Sequence, residues 1–448
     1  MTSWQQKLSA ALTLIFSVHL AGQDLSSTPN IDFQPSVITS KLTQQIVTRS
    51  FQDSSGNMWF LTQEGLNRYN GHEVENYQYS LTNSSSISHD AVTNIVEDSK
   101  GNIWISTRGG GLNRYDPIAN SFESIFAGDR GMHAPVSNDI LTLFKDKEER
   151  IWVGYDNAFS IFDPLTRTFS HHYPQSLSLP YLGEINSFTQ TPDGTIWASS
   201  LASGLVRITT DDQTGTVDAS LIELNNSEIS VNESIFRIFA DSRGSIWSLT
   251  PASGVLRYEP SSSTYKRFSH SETDPKSISS NTTVDIFEDQ SKQIWISTVE
   301  GLDLFSKQHE GFINFNTQNT NLPSDRISSI YQSKEGLYWV GTIFGLATGS
   351  EHLFRKYNTA SSNLSNESIN AIGQTKDGTV WIGTDDGLNK LNENNYSIGT
   401  INEYTVPRIS NSVVMSILGE DNLLWVGTFS GGLNRINTVT DEVKNFKT

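Results

Sequence analysis

The sequence contains no cysteine. Disulfides, thiolate metal sites and thiol nucleophiles are excluded, and the fold must be held by its own core. Basic residues are few, 31 Lys and Arg against 49 Asp and Glu, which leaves a formal charge of −18. No basic stripe interrupts that balance, so a nucleic-acid partner, which rewards clustered Lys and Arg, is excluded. Hydrophobic residues are only 36% of the chain, yet aromatics reach 10% and glycine numbers 32. That mix suits short strands with aromatic anchors and tight glycine turns. Long apolar runs are missing after residues 8–21 (LSAALTLIFSVHLA), which follow Lys7. This stretch of 14 residues is short for a membrane span and fits a secretory leader. Residues 1–22 are therefore read as a signal peptide and the remainder as exported to the periplasm or beyond. Because His19 and Leu20 make a poor cleavage signal, an uncleaved anchor is the alternative.

Catalytic signatures are also missing. There is no Gly-rich phosphate loop, no GxSxG and no HExxH. His171 and His172 have no third ligand nearby and read as an exposed pair on an outer strand. The stretch DDQTGTVD, with Asp211, Asp212 and Asp218, lacks the alternating acids of a calcium loop and reads as an outer-strand insertion. No catalytic residue, metal or cofactor is expected, and the chain is read as a non-enzyme.

What the chain has is a repeat. Trp recurs at Trp59, Trp104, Trp152, Trp197, Trp247, Trp295, Trp339, Trp381 and Trp425, at intervals of 42 to 50 residues. The text around each Trp repeats as well: QDSSGNMWFLTQEGLNRY, EDSKGNIWISTRGGGLNRYD, QTKDGTVWIGTDDGLNK. The second copy parses into four strands, at residues 91–97, 103–107, 112–116 and 121–126. Asp98 to Gly101 forms the tight turn between the first two strands, called A and B. Four short antiparallel strands per unit of this length make a propeller blade. The expected fold is an all-β propeller of nine Trp-centred repeats. A seven-bladed ring over residues 41–356 plus two blades of a second ring over 357–448 is preferred to one ring of eight or nine. Residues 23–40 form an N-terminal segment, within which IDFQPSV (31–37) is a candidate ring-closing outer strand.

The recurring residues have structural roles. Each Trp is expected to fill the space between blades. Asp53, Asp98, Asp241 and Asp289 are expected to cap turn N–H groups rather than bind metal. The dipeptide after each Trp is never the Trp-Asp of WD40 repeats, and kelch repeats would be longer.

The segments GNIWISTRGGGLNRYD (101–116), GTVWIGTDDGLNKL (378–391) and LLWVGTFSGGLNRIN (423–437) resemble the two-component regulator propeller repeat. The third to seventh copies depart from it, the third reading GYDNAFSIFD. The resemblance implies a secreted sensor of two seven-bladed rings. A β-sandwich, a membrane helix and a cytoplasmic kinase or other output would follow. The chain is thus expected to be a truncated ligand-sensing region. A runner-up resemblance is to propeller lyases that inactivate streptogramins, whose repeats are similar. They would need His and Glu converging on the axis with a divalent ion. A protein-docking propeller is the third reading.

Strand direction alternates, so the A–B and C–D turns share one face and the B–C and D–A loops share the other. The A–B turns are monotonous, whereas the B–C loops vary, as recognition loops on a fixed scaffold do. Candidate ligand-binding residues on that face are Arg108, Tyr155, Asp156, Glu300, Phe344 and Asp385. Their mixture of aromatic, carboxylate and guanidinium groups suits a polar ligand such as an oligosaccharide. A homodimer is left open. A membrane partner is expected only through an uncleaved leader or a C-terminal segment beyond Thr448.

Overall fold

The computed structural model describes residues 31–128, 131–211, 214–222, 233–307, 310–351, 359, 362–391 and 398–447. The signal peptide expected over residues 1–22 lies outside them. The chain is all-β, with nine four-stranded antiparallel sheets, and divides into two compact units at His352/Leu353. Among the described residues, no helix is long and apolar enough to cross a membrane.

The second blade shows how the repeat folds. Its strands are Val92–Glu97, Ile103–Thr107, Gly111–Asp116 and Ser121–Ile125, within a residue of the expected bounds. Asp98 N and Gly101 N close the A–B turn on Asn102 O and Asp98 O, and Gly101 takes φ +79°. Gly111 starts the third strand at φ +73°, and a Cβ there would strike the carbonyl oxygen of Ile125. Glycine is therefore required at that site.

In the first unit the innermost strands touch in a closed circuit. Arg49–Gln52 meets Val92–Glu97, and contact continues through Thr142–Lys145, Phe188–Gln190, Arg237–Ala240, Thr283–Glu288 and Ile327–Gln332 back to Arg49–Gln52. The seventh sheet has three strands from its own repeat and takes its outer strand, Ile31–Pro35, from the N-terminal segment. That strand pairs antiparallel with Gly345–Glu351, so residues from both ends of the unit share one sheet. Phe33 is fully buried and meets Phe315 of the sixth blade edge-on at 6.1 Å.

The core is divided between blades. Trp104 packs on Ile151, Val153 and Phe162 of the third blade, and Trp59 on Ile95, Ile103 and Tyr115 of the second. Trp339 of the seventh packs on Val47, Met58 and Phe60 of the first, which closes the apolar circuit. Eight of the nine repeat Trp are buried. Trp425 departs from the interblade role expected of it: it is half-buried and lies against Phe446 of its own sheet, with ring centroids 6.0 Å apart.

The second unit contains the eighth and ninth sheets. Trp381 of the eighth packs on Val414, Leu424 and Val426 of the ninth, repeating the contact made in the first unit.

Candidate functional site

The B–C loops follow strand B directly, so the parity of that strand decides which residues leave the core. Residues alternate between faces along a strand. In Ile151–Tyr155, Ile151 and Val153 face the core, and Tyr155 shares their parity. Tyr155 is accordingly only 1% exposed, and burial raises its phenol well above the usual range. The expectation that Tyr155 offers an aromatic platform is corrected. It fills the interblade core.

The exposed aromatic ring in that loop cluster is instead Tyr181, 59% exposed, from the D–A connection between the third and fourth blades. Its hydroxyl donates to Asp156 Oδ1 at 3.1 Å, and this bond moves its phenol above the usual range, holding it in the protonated form. Glu184 of the same connection forms an isolated β-bridge with Asp156. Its Oε2 lies 3.7 Å from Arg108 Nη2. Arg108 and Asp156, from neighbouring blades, are thus brought together by Tyr181 and Glu184. Neither is marked in the sequence, because the D–A connections differ in length and composition from repeat to repeat and carry no periodic signal.

The other candidates stand elsewhere. Glu300 and Phe344 sit on the B–C loops of the sixth and seventh blades, both exposed, Phe344 at 66%. Asp385 belongs to the second unit, where its Oδ1 accepts from Asn370 Nδ2 at 2.8 Å.

Inside the first unit, one position of each inner strand faces the residue two past the repeat Trp. These positions hold Arg49, Asn94, Thr142, Ser187, Arg237, Asp285 and Ser329. All seven are polar. They lie near the starts of the inner strands, at the end carrying the B–C and D–A loops. Most of them bond to the next blade. Asn94 Nδ2 donates to Thr142 Oγ1 at 2.9 Å, and Ser187 Oγ to Ile238 O at 3.1 Å. Arg237 donates to Asp285, which accepts Ile330 N at 3.2 Å, and Ser329 Oγ donates to Val47 O at 2.9 Å. The guanidinium of Arg49 has no hydrogen-bond partner among the described residues. Burial, then the nearby Arg237, push it down to about 9, against a smaller opposing pull from Asp285.

His171 and His172 are half-buried on the outer strand Thr168–His172, not exposed as expected. His171 Nδ1 lies 2.8 Å from Ser160 Oγ, and the His172 ring stacks on Phe159 at 5.0 Å. Burial, with His171 adding to it, lowers the His172 imidazole. Among the described residues no group of three or more His, Cys, Asp or Glu is placed to hold a metal ion. Asp211 ends a strand and Asp218 lies in the strand paired with it, while Asp212 falls outside the described residues.

The two component regulator propeller model matches residues 86–109, 321–344 and 363–386. The second of these is the seventh copy, one of those expected to depart from the repeat. Residues 423–437 are not among the matched segments. No curated protein matches the sequence. Among solved structures, the chain resembles one described as the extracellular domain of a hybrid two component system of B. thetaiotaomicron. The TM-score is 0.64 at 23% identity, covering 93% of this chain and 54% of that one. A structure described as that of a one component system from the same organism gives 0.57 at 18% identity, with the same coverage. Streptogramin B lyase gives 0.52 at 12%, covering 72% of this chain and 97% of the lyase. The chain spans about half the length of the first two structures. At these identities the likeness establishes a shared propeller fold. The family is read from the repeats themselves: the chain carries two component regulator propeller repeats in its second, seventh and eighth blades.

Proposed function

We propose that the chain is the extracytoplasmic, ligand-sensing propeller region of a transmembrane signalling protein. It binds a polar ligand such as an oligosaccharide on the face of the B–C and D–A loops and does not turn it over. The observation that carries this reading is the cluster of Arg108, Asp156, Tyr181 and Glu184. It offers an exposed aromatic ring beside hydrogen-bonding groups of both charges, the chemistry that polar ligands use. The family repeats and the fold shared with extracellular two component domains support it.

The second unit is proposed as two blades of a second ring. Ile372 and Leu418, on its two inner strands, are 68% and 64% exposed, an apolar surface that further blades would cover. The lyase reading has less support. His72, His89, His133, His171, His172 and His270 are not drawn together among the described residues into a cluster able to hold a divalent ion.

A calorimetric screen of oligosaccharides, with product analysis of every binder, tests the proposal. Binding without a new product is expected, weakened by Tyr181→Ala. Conversion of any bound sugar would contradict it.

A further inference from the structure

We infer that the axis of the seven-bladed ring is a binding site for an oxyanion, the carboxylate, sulfate or phosphate group of a small ligand, held by Arg49. Three independent features meet there. The first is space. A cavity of about 310 Å³ opens among the inner strands of the first four blades, and its lining includes Arg49, Asn94, Thr142, Ser187, Phe51 and Phe144. Glu97 and Lys145 also line it, but Glu97 already accepts from Ser54 and Lys145 already donates to Glu149. That volume lies at the lower end of the roughly 300–1,000 Å³ typical of small-ligand sites.

The second is unbalanced charge. Arg49, Arg237 and Asp285 interact across the ring, two guanidinium groups to one carboxylate. Asp285 is already engaged by Arg237, and by the Ile286 and Ile330 N–H groups at 2.9 and 3.2 Å. One positive charge is left over inside a chain whose formal charge is −18. Arg49 is half-buried, and a partly buried charge is costly unless it is paired. Two neighbouring guanidinium groups are a poor arrangement for the empty ring and a good one for a ring holding an anion.

The third is donor geometry. A guanidinium presents a planar fork that matches oxyanions in a bidentate way. Every other charged member of the polar tier has a partner, so the fork of Arg49 is the one available among the described residues. Thr142 accepts from Asn94, which leaves its own hydroxyl hydrogen to donate into the cavity.

The tier lies at the strand ends nearest the B–C and D–A loops, so a ligand on that face reaches it with one acidic end. In this respect the inference deepens the sensing proposal, but the two fail separately. Calorimetry on the full chain, at ionic strength held constant with sodium chloride, decides between outcomes. Inorganic phosphate, inorganic sulfate and glucuronate are titrated separately, with glucose as the neutral control. At least one anion is expected to bind in the millimolar range or tighter. Binding of inorganic phosphate or sulfate identifies a free ion as sufficient, and binding of glucuronate alone identifies an acidic sugar.

Arg49→Gln should weaken binding by about tenfold or more, the loss of a charge-assisted pair. The unliganded Arg49→Gln protein should melt no lower than wild type, because it sheds a half-buried charge that has no ion-pair partner among the described residues. Lys100→Gln, on the opposite face at an A–B turn, should leave anion binding unchanged. Three results would overturn the inference: no anion bound up to about 50 mM, far weaker than the millimolar range expected here; equal binding by folded Arg49→Gln; or binding lost in Lys100→Gln instead. If a neutral oligosaccharide binds wild type and Arg49→Gln equally while no anion binds, the sensing proposal stands and the anion site does not.

Discussion

The indole N–H of Trp104 donates to the carboxylate of Asp98, six residues upstream, at 2.9 Å. The same bond joins Trp59 to Asp53, Trp152 to Asp146, Trp247 to Asp241 and Trp295 to Asp289, at 2.8 to 3.0 Å. In the second blade that carboxylate also accepts the backbone N–H groups of Lys100 and Asn102. One buried side chain therefore ties the A–B turn to the interblade anchor. Burial alone would raise the Asp98 carboxyl, but the bonds from Trp104, Asn102 and Lys100 hold it below the ordinary range.

Asp98→Ala should lose about 2–3 kcal/mol of stability, because it leaves a buried indole N–H and turn amides unsatisfied. The seventh blade offers the converse. Ser333 occupies the aspartate position there, and Trp339 Nε1 is buried with no acceptor among the described residues. Ser333→Asp should stabilise the protein by about 1 kcal/mol. Denaturant melts read both changes, and a destabilising Ser333→Asp would show that the bond does not carry the effect.

Trp104→Ala should cost about 3–5 kcal/mol, as removal of a packed aromatic does. Arg108→Ala should stay within about 0.5 kcal/mol, as surface changes do. Equal, small losses in the two melts would mean that Trp104 is not a blade anchor.

Asp303 stands where other repeats place a buried asparagine, Asn67, Asn113, Asn389 or Asn434. In four blades that asparagine donates its amide to a strand carbonyl, which a carboxylate cannot do. Burial pushes the Asp303 carboxyl up to about 7, despite hydrogen bonds from Ser279 and Asn314. The folded chain therefore keeps a proton that the unfolded chain releases near pH 4. Stability from this residue is highest below that pH, falls as pH rises through the window up to about 7, and is level above it. Asp303→Asn should remove that slope and exceed wild type by on the order of 2 kcal/mol at pH 8. Melts from pH 4 to 8 with identical slopes for the two proteins would contradict this.

Much of the fold was legible because its signals are local. The Trp period, the Asp-to-Gly turns and the alternation in residues such as 103–107 define each blade within one repeat. Tyr155 was legible too: its parity with Ile151 and Val153 places it in the core, and only its position at a loop edge argued otherwise. The pairing of Arg108 with Glu184 was not legible, since it joins neighbouring blades through a connection of irregular sequence. The polar tier was hidden for a related reason. Its seven members fall into line only when each inner strand is set in register against its Trp strand, and register is a property of the paired structure.

Hydrogen exchange of the full chain, with and without a bound oligosaccharide from the screen, tests the central claim most directly. Exposed loops exchange readily unless covered, so a ligand marks the face it occupies. The account predicts new protection at residues 108–110, 155–157 and 181–184, with none at the A–B turns around Lys100 and Lys147. Protection confined to those turns, with the B–C and D–A loops unchanged, would contradict it.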